Sequence, residues 1–182
     1  MVGPMAGDES LDDLGRELRE RVGHEVQREA EMIEHDAASL QLRRRRLEDV
    51  ATELVSRGDT VTVIAGARSI RGTLVYARGE IASVAIADGP AFDVHLRAGV
   101  MLRVDERSPA GGRAARRGSN TLRARLLEHE LSGTSVEVWV PAHGVEAMGS
   151  IQAVGKDHLI LTDRDGAEWV VVLDDIAWVR PA

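Results

Sequence analysis

The chain has 182 residues, enough for one ordinary domain or two very small ones. It contains no cysteine, which excludes disulfides, thiolate metal sites and thiol nucleophiles. The net charge of −7 is segregated by sign along the chain, so arguments about partners follow local patches rather than the total.

The first 13 residues, MVGPMAGDESLDD, have neither a basic nor an apolar leader segment. No apolar run approaches the roughly 20 residues of a membrane span, so a soluble cytoplasmic protein is expected. Residues 1–42 hold 11 acidic residues against 4 arginines, and Arg43-Arg44-Arg45-Arg46 follow. Asp8 or Ser10 can cap a helix, with Ser10 and Asp13 at capping-box spacing. Leu11, Leu14, Leu18 and Val22 begin an apolar stripe that Ile33, Leu40, Leu47, Ala51 and Leu54 continue at heptad-like steps. Gly58 stops it. One helix from Leu11 to Arg57 would be roughly 70 Å long. A small domain cannot cover that length, so the outer part is expected to pair with another chain, fold back or fray.

The next stretch alternates in the manner of half-buried strands, at Val61 and Val63, Val84 and Ile86, then Phe92, Val94 and Leu96. Arg107 to Ser119 is Gly, Ala, Ser and Arg with one proline, a flexible basic linker by composition. Thr121 to Leu131 then carries Leu122, Leu126, Leu127 and Leu131 at helical spacing, with Ser119 or Asn120 as the expected cap and Gly133 as the stop. Val136, Val138 and Val140 form a strand, and Gly144 and Gly149 flank the next. Leu159 to Leu161, Trp169 to Leu173 and Ile176 to Val179 follow, with Asp163-Arg164-Asp165-Gly166 as a hairpin turn. Five short strands in so few residues predict a small, partly open barrel under a lid helix.

The two strand-rich stretches match each other at an offset of 75 to 77 residues. Val61-x-Val63 answers Val136-x-Val138, and Gly72 answers Gly149. Phe92-x-Val94-x-Leu96 answers Trp169-x-Val171-x-Leu173, and Gly99-Val100-x-Leu102 answers Asp175-Ile176-x-Trp178. This reads as a tandem duplication of helix plus barrel. The helix, the Val-x-Val strand, the Gly144 to Ile151 segment, Asp157 to Leu161 and Leu173 to Ile176 together resemble the Sm-like fold, and the C-terminal barrel of the RimP ribosome-maturation factors is similar. The layout also resembles two-barrel proteins of high-GC Gram-positive bacteria, a resemblance that brings no activity with it. In the Sm-like resemblance His158 takes the place of an asparagine that contacts a base, while the Arg-Gly of the second Sm motif is unmatched, with Arg180 and no glycine.

No chemistry-bearing constellation emerges. The six histidines, at 24, 35, 95, 129, 143 and 158, stand at no metal spacing with one another. Asp174-Asp175 suits a turn rather than acid–base work, because neighbouring side chains point apart. No phosphate-binding loop and no nucleophile elbow occurs. Phe92, Trp169 and Trp178 fall on core phase, whereas Trp139 falls off it and is expected either under a helix or as an exposed contact. The basic residues divide between a solvated helix face and a phosphate-contacting stripe, seven arginines lying within 103–125.

The expected fold is α+β: a long N-terminal helix over residues 1–46, a first Sm/SH3-like five-stranded barrel with its lid helix over 47–105, a linker over 106–119, and a second barrel with its lid over 120–182. The expected function is a non-catalytic cytoplasmic adaptor or regulator, with no cofactor and no metal. It would meet a protein partner, or itself, through Leu11, Leu14, Leu18, Ile33, Leu40 and Trp139. The alternative is RNA binding through Arg113, Arg116, Arg117, Arg123, Arg125, His158 and Arg180.

Overall fold

The computed structural model describes residues 32–33, 39–41, 43–112 and 118–182. Leu11, Leu14, Leu18, Arg113, Arg116 and Arg117 therefore lie outside the described residues. Residues 32–33, 39–41 and 43–44 are helical, and Ile33 and Leu40 among them are exposed. Arg46–Ala182 forms one compact unit, described from here on.

The first correction concerns the long helix. Helix α1 runs only from Leu47–Arg57, because Arg46 is extended, with φ −84° and ψ 161°. The Arg46 backbone N–H donates to Asp49 Oδ2 at 2.8 Å, so Asp49 reaches back to make a new helix start. Glu48 and Asp49 in the first turn suit the positive end of the helix dipole. Ala51, Leu54 and Val55 form the buried face of α1.

The second correction concerns the barrels. The strands are β1 (Thr60–Ala65), β2 (Arg68–Arg78), β3 (Ile81–Ala85), β4 (Phe92–His95), β5 (Met101–Glu106), β6 (Val136–Val140), β7 (Val145–Val154), β8 (His158–Thr162), β9 (Glu168–Val172) and β10 (Trp178–Pro181), with α2 (Leu122–Ser132) before β6. They are not two separate five-stranded barrels. They make one ten-stranded antiparallel sheet in the order β5–β1–β2–β3–β4–β10–β6–β7–β8–β9. The join is β4 on β10, where Trp178 pairs with Val94 and Val179 with Asp93. Among the described residues the mainly β architecture carries only short helices, including a 3₁₀ turn at Leu173–Asp175.

Side chains cross the join in both directions, which is why the halves are not independent. Trp139, Ala177 and Trp178 lie in the core beneath α1, among Val63, Leu74 and Val94. Tyr76 and Ile81 lie in the other core, with Leu122, Leu126 and Leu159. Helix α2 is tied down by the first half: the Leu122 N–H donates to Glu80 Oε1 at 2.9 Å, and the Glu80 N–H to the Asn120 carbonyl at 2.9 Å. Its cap is Thr121, whose Oγ1 accepts from the Ala124 N–H at 3.1 Å, rather than Ser119 or Asn120. Leu131 points to solvent at 88% exposure, off the apolar stripe expected of it.

The described ends of the segment expected as a linker are hydrogen-bonded. Ser108 N–H donates to the buried Asp59 carboxylate at 2.9 Å, and Gly112 N–H to the Ser56 carbonyl at 2.9 Å. Burial opposes ionisation of Asp59, but the Ser108 N–H and the Arg57 guanidinium outweigh it and hold the carboxyl below its usual range. Among the described residues no helix is long and apolar enough to cross a membrane.

Candidate functional site

A ten-stranded open sheet has two edges, here β5 and β9. Strand β9 is built from a hairpin whose turn is organised by Asp163. Its carboxylate accepts the Asp165 N–H at 3.0 Å, the Ala167 N–H at 2.9 Å and the Trp169 indole N–H at 3.0 Å. The Trp169 hydrogen bond first, then the backbone donors, hold this carboxyl below the usual range. The ring of Trp169 is thereby tied to the turn and is 38% exposed, where its core phase predicts burial. Val170 and Val172 are 64% and 51% exposed, while Val171 is buried.

Beside this edge lies an apolar groove of about 250 Å³, walled by Val140, Val145, Ala147, Trp169 and Val171, with His143 and Asp175 at its margin. The groove offers aliphatic and indole surface. The outer side of β9 adds a row of main-chain donors and acceptors with no strand opposite among the described residues. Such a surface can take an extended peptide, main-chain bonds giving affinity and alternate side chains giving selectivity. Among the described residues no group of three or more His, Asp or Glu is placed to hold a metal ion.

The opposite edge, β5, exposes Met101 at 62% and Val104 at 41%. Its far end is closed by charge: Asp105 accepts from Thr62 Oγ1 at 2.5 Å, from Arg103 Nε at 2.7 Å and from Arg71 Nε at 3.3 Å. Those partners, Thr62 first, keep the Asp105 carboxyl low.

The residues expected at a site are distributed differently. Of the two places expected for Trp139, the exposed one is excluded: it lies in the core that α1 covers. It is buried at the join, donating its indole N–H to the Ala65 carbonyl at 2.9 Å and stacking on Trp178 with ring centroids 6.0 Å apart. The Arg68 guanidinium covers its ring at 4.5 Å and pairs with Glu146. Arg125 reaches Asp93 at 3.1 Å and Glu128 at 2.6 Å. Arg180 binds the buried Glu137 at 3.0 Å through Nε and lies 5.1 Å over Phe92. Burial and the neighbouring Glu146 push the Glu137 carboxyl up, against the pull of Arg180.

Arg123 and His158 both adjoin Gly155. Arg123 Nε donates to the Gly155 carbonyl at 2.8 Å, and the His158 ring packs against Gly155 with Nδ1 2.8 Å from Asp157. The edge at Val170 and Val172 was missed by sequence reasoning. Its signal was present in Trp169-Val170-Val171-Val172, which is apolar in both phases where an outer strand of an antiparallel sheet ordinarily alternates. No family model, curated protein or solved structure matches this chain.

Proposed function

We propose that the protein is a non-catalytic cytoplasmic adaptor whose working surface is the β9 edge with its groove, and that it binds polypeptide by adding a strand there. The observation that carries this reading is an unguarded apolar edge: Trp169, Val170 and Val172 are all exposed on one strand, over an apolar groove. Edge strands are ordinarily protected by charge, proline or a covering element, so one that keeps three apolar residues in the open is suited to being covered by something.

The same reading takes the two five-strand sets as copies of an Sm-like unit fused edge to edge into a single sheet. Support comes from β2 and β7, which each pair with the preceding strand through their first part and the following strand through their second. Their register shifts fall at Leu74/Tyr76 and Ile151/Ala153. The nucleic-acid alternative draws less from the described residues, because Arg125 and Arg180 are turned onto Asp93 and Glu137.

The test is a photo-crosslinking amino acid at Val170, irradiated in cells. A polypeptide adduct mapping to one defined segment, and lost when Val172→Lys is added, is the expected result. Adducts to nucleic acid, or none to polypeptide, would remove the adaptor reading.

A further inference from the structure

The join inside the sheet shows what covers an edge of this kind. At the join, the Ile64 and Met101 positions of the second half are occupied by Trp139 and Trp178. The pairing of the strands establishes this equivalence: Val63 faces Leu102 and Ile64 faces Met101 on β1 and β5, as Val138 faces Val179 and Trp139 faces Trp178 on β6 and β10. This register puts Met101, not Leu102, in the place of Trp178. On the other side of the join, Phe92, Asp93, Val94 and His95 of β4 correspond to Trp169, Val170, Val171 and Val172 of β9.

Trp139 and Trp178 pack in a core that includes Ala65, Ile70, Phe92 and Val94. The corresponding residues of the second half are Val140, Ala147, Trp169 and Val171, and these are walls of the open groove. The groove is therefore the socket of the join, repeated at β9 without its plug. The plug is repeated at β5 without its socket: Met101 is 62% exposed, and Ile64 beside it is half-buried.

The electrostatics follow the same rule. One of the ion pairs that cross the join, Asp93 with Arg125 at 3.1 Å, has Val170 and Val50 at its corresponding positions. An exposed valine on one side and a half-buried one on the other can meet without burying a charge. Arg180, over Phe92 at 5.1 Å, corresponds to Arg103, and Phe92 to Trp169. An arginine over an aromatic face is thus available to the outer edges as well.

We infer that the occupant of the β9 edge is a second copy of this chain, whose β5 adds antiparallel to β9, with Met101 opposite Val171, Leu102 opposite Val170, and Met101 and Ile64 seated in the groove. The inference rests on the strand-addition reading above. The contact is head-to-tail, so every added chain leaves one edge of each kind free, and growth ends only where a ring closes.

The test uses the full chain and two edge variants by light scattering after size exclusion. The first is Val170→Lys with Val172→Lys, which blocks β9. The second is Met101→Asp, which blocks β5. All three substitutions fall at exposed positions, and an unchanged thermal midpoint checks the fold. The wild-type chain is expected at two or more chain masses at about 100 µM, where a micromolar interface is largely occupied. Each variant alone is expected at one chain mass, and their equimolar mixture at two, because each supplies the edge the other lacks.

A wild-type chain of single mass overturns the inference, as do variants that keep the wild-type mass or a Met101→Asp chain that pairs with itself. The crosslinker at Val170 gives an independent reading that needs no edge variant. An adduct to residues 100–104 of another copy supports the inference. An adduct to a different polypeptide overturns it and leaves the adaptor reading standing, while the absence of any polypeptide adduct overturns both.

Discussion

At Gly149 a Cβ would run into the Thr162 carbonyl oxygen of the neighbouring strand, and at Gly72 into that of Ala85. Neither glycine has a positive φ, so the requirement is space and not backbone conformation. Each sits where its long strand changes partners. Gly149→Val and Gly72→Val are each expected to cost more than about 4 kcal/mol, the range reserved for core overpacking and backbone clashes. Retention of a cooperative thermal transition with native circular dichroism by either variant would contradict this account. At His95 the burden is charge. Its ring is buried at the join, with Nδ1 3.3 Å from the Ile176 carbonyl, and burial lowers its pKa, against the opposing charges of Glu80 and Asp174. A histidine whose folded pKa is depressed favours the neutral form. Its contribution is whole above the ordinary value near 6.5 and is lost as pH falls from there towards the folded value. The urea midpoint of the wild type is expected to drop more between pH 7 and pH 5 than that of His95→Val, the residue found at the corresponding position of β9. Parallel curves for the two proteins would assign the pH dependence elsewhere.

Among the elements, the β4–β10 pair has the largest consequence. It is short, with two paired positions, but it is backed by Trp139 on Ala65, by Arg68 with Glu146, and by α2 reaching Asp93 through Arg125. Trp139→Ala is expected to destabilise the protein by about 3–5 kcal/mol, as for large aromatic truncations in a core. Because Trp139 comes from β6 and packs in the core beneath α1, the loss should be felt by both halves at once. Calorimetry of the wild type should therefore give one transition, and the variant one transition at lower temperature. Two separate transitions in the wild type would mean that the halves melt alone. Helix α1 belongs to the same scale. A continuous apolar stripe runs through Leu40, Leu47 and Leu54, yet the helix restarts at Leu47 because Asp49 satisfies the Arg46 N–H locally. Side-chain periodicity marks which face is apolar; it does not report a break that leaves the phase intact.

For the whole molecule, the compact unit begins at Arg46, and its cores draw on no described residue before Val50. A chain trimmed to start at Arg43 is expected to keep its thermal midpoint within about 5 °C, the shift of about 1 kcal/mol in a domain of this size. A larger fall would show that residues before the unit stabilise it.

The strands, the helices ending at Gly58 and Gly133 and the hairpin at Asp163 were legible because each depends on local chemistry: alternation at Val136 and Val138, the glycine after each helix, and Asp-Gly in the turn. Gly149 was legible as a place where strands crowd or bend; the crowding is there, the positive φ is not. What the amino-acid order could not convey is which strand edges meet. Trp139 lies off the phase of its own core because it serves the other half's core, and no pattern within β6 records a partner 74 residues away. Trp169 keeps core phase and is exposed, because none of the described strands covers β9. Local propensity and phase were determined by the sequence itself. The joining of ten strands into one sheet, the turning of Arg125 and Arg180 onto buried carboxylates, and the groove left open at β9 were decided by tertiary structure, since edge pairing and side-chain burial depend on residues distant in the chain.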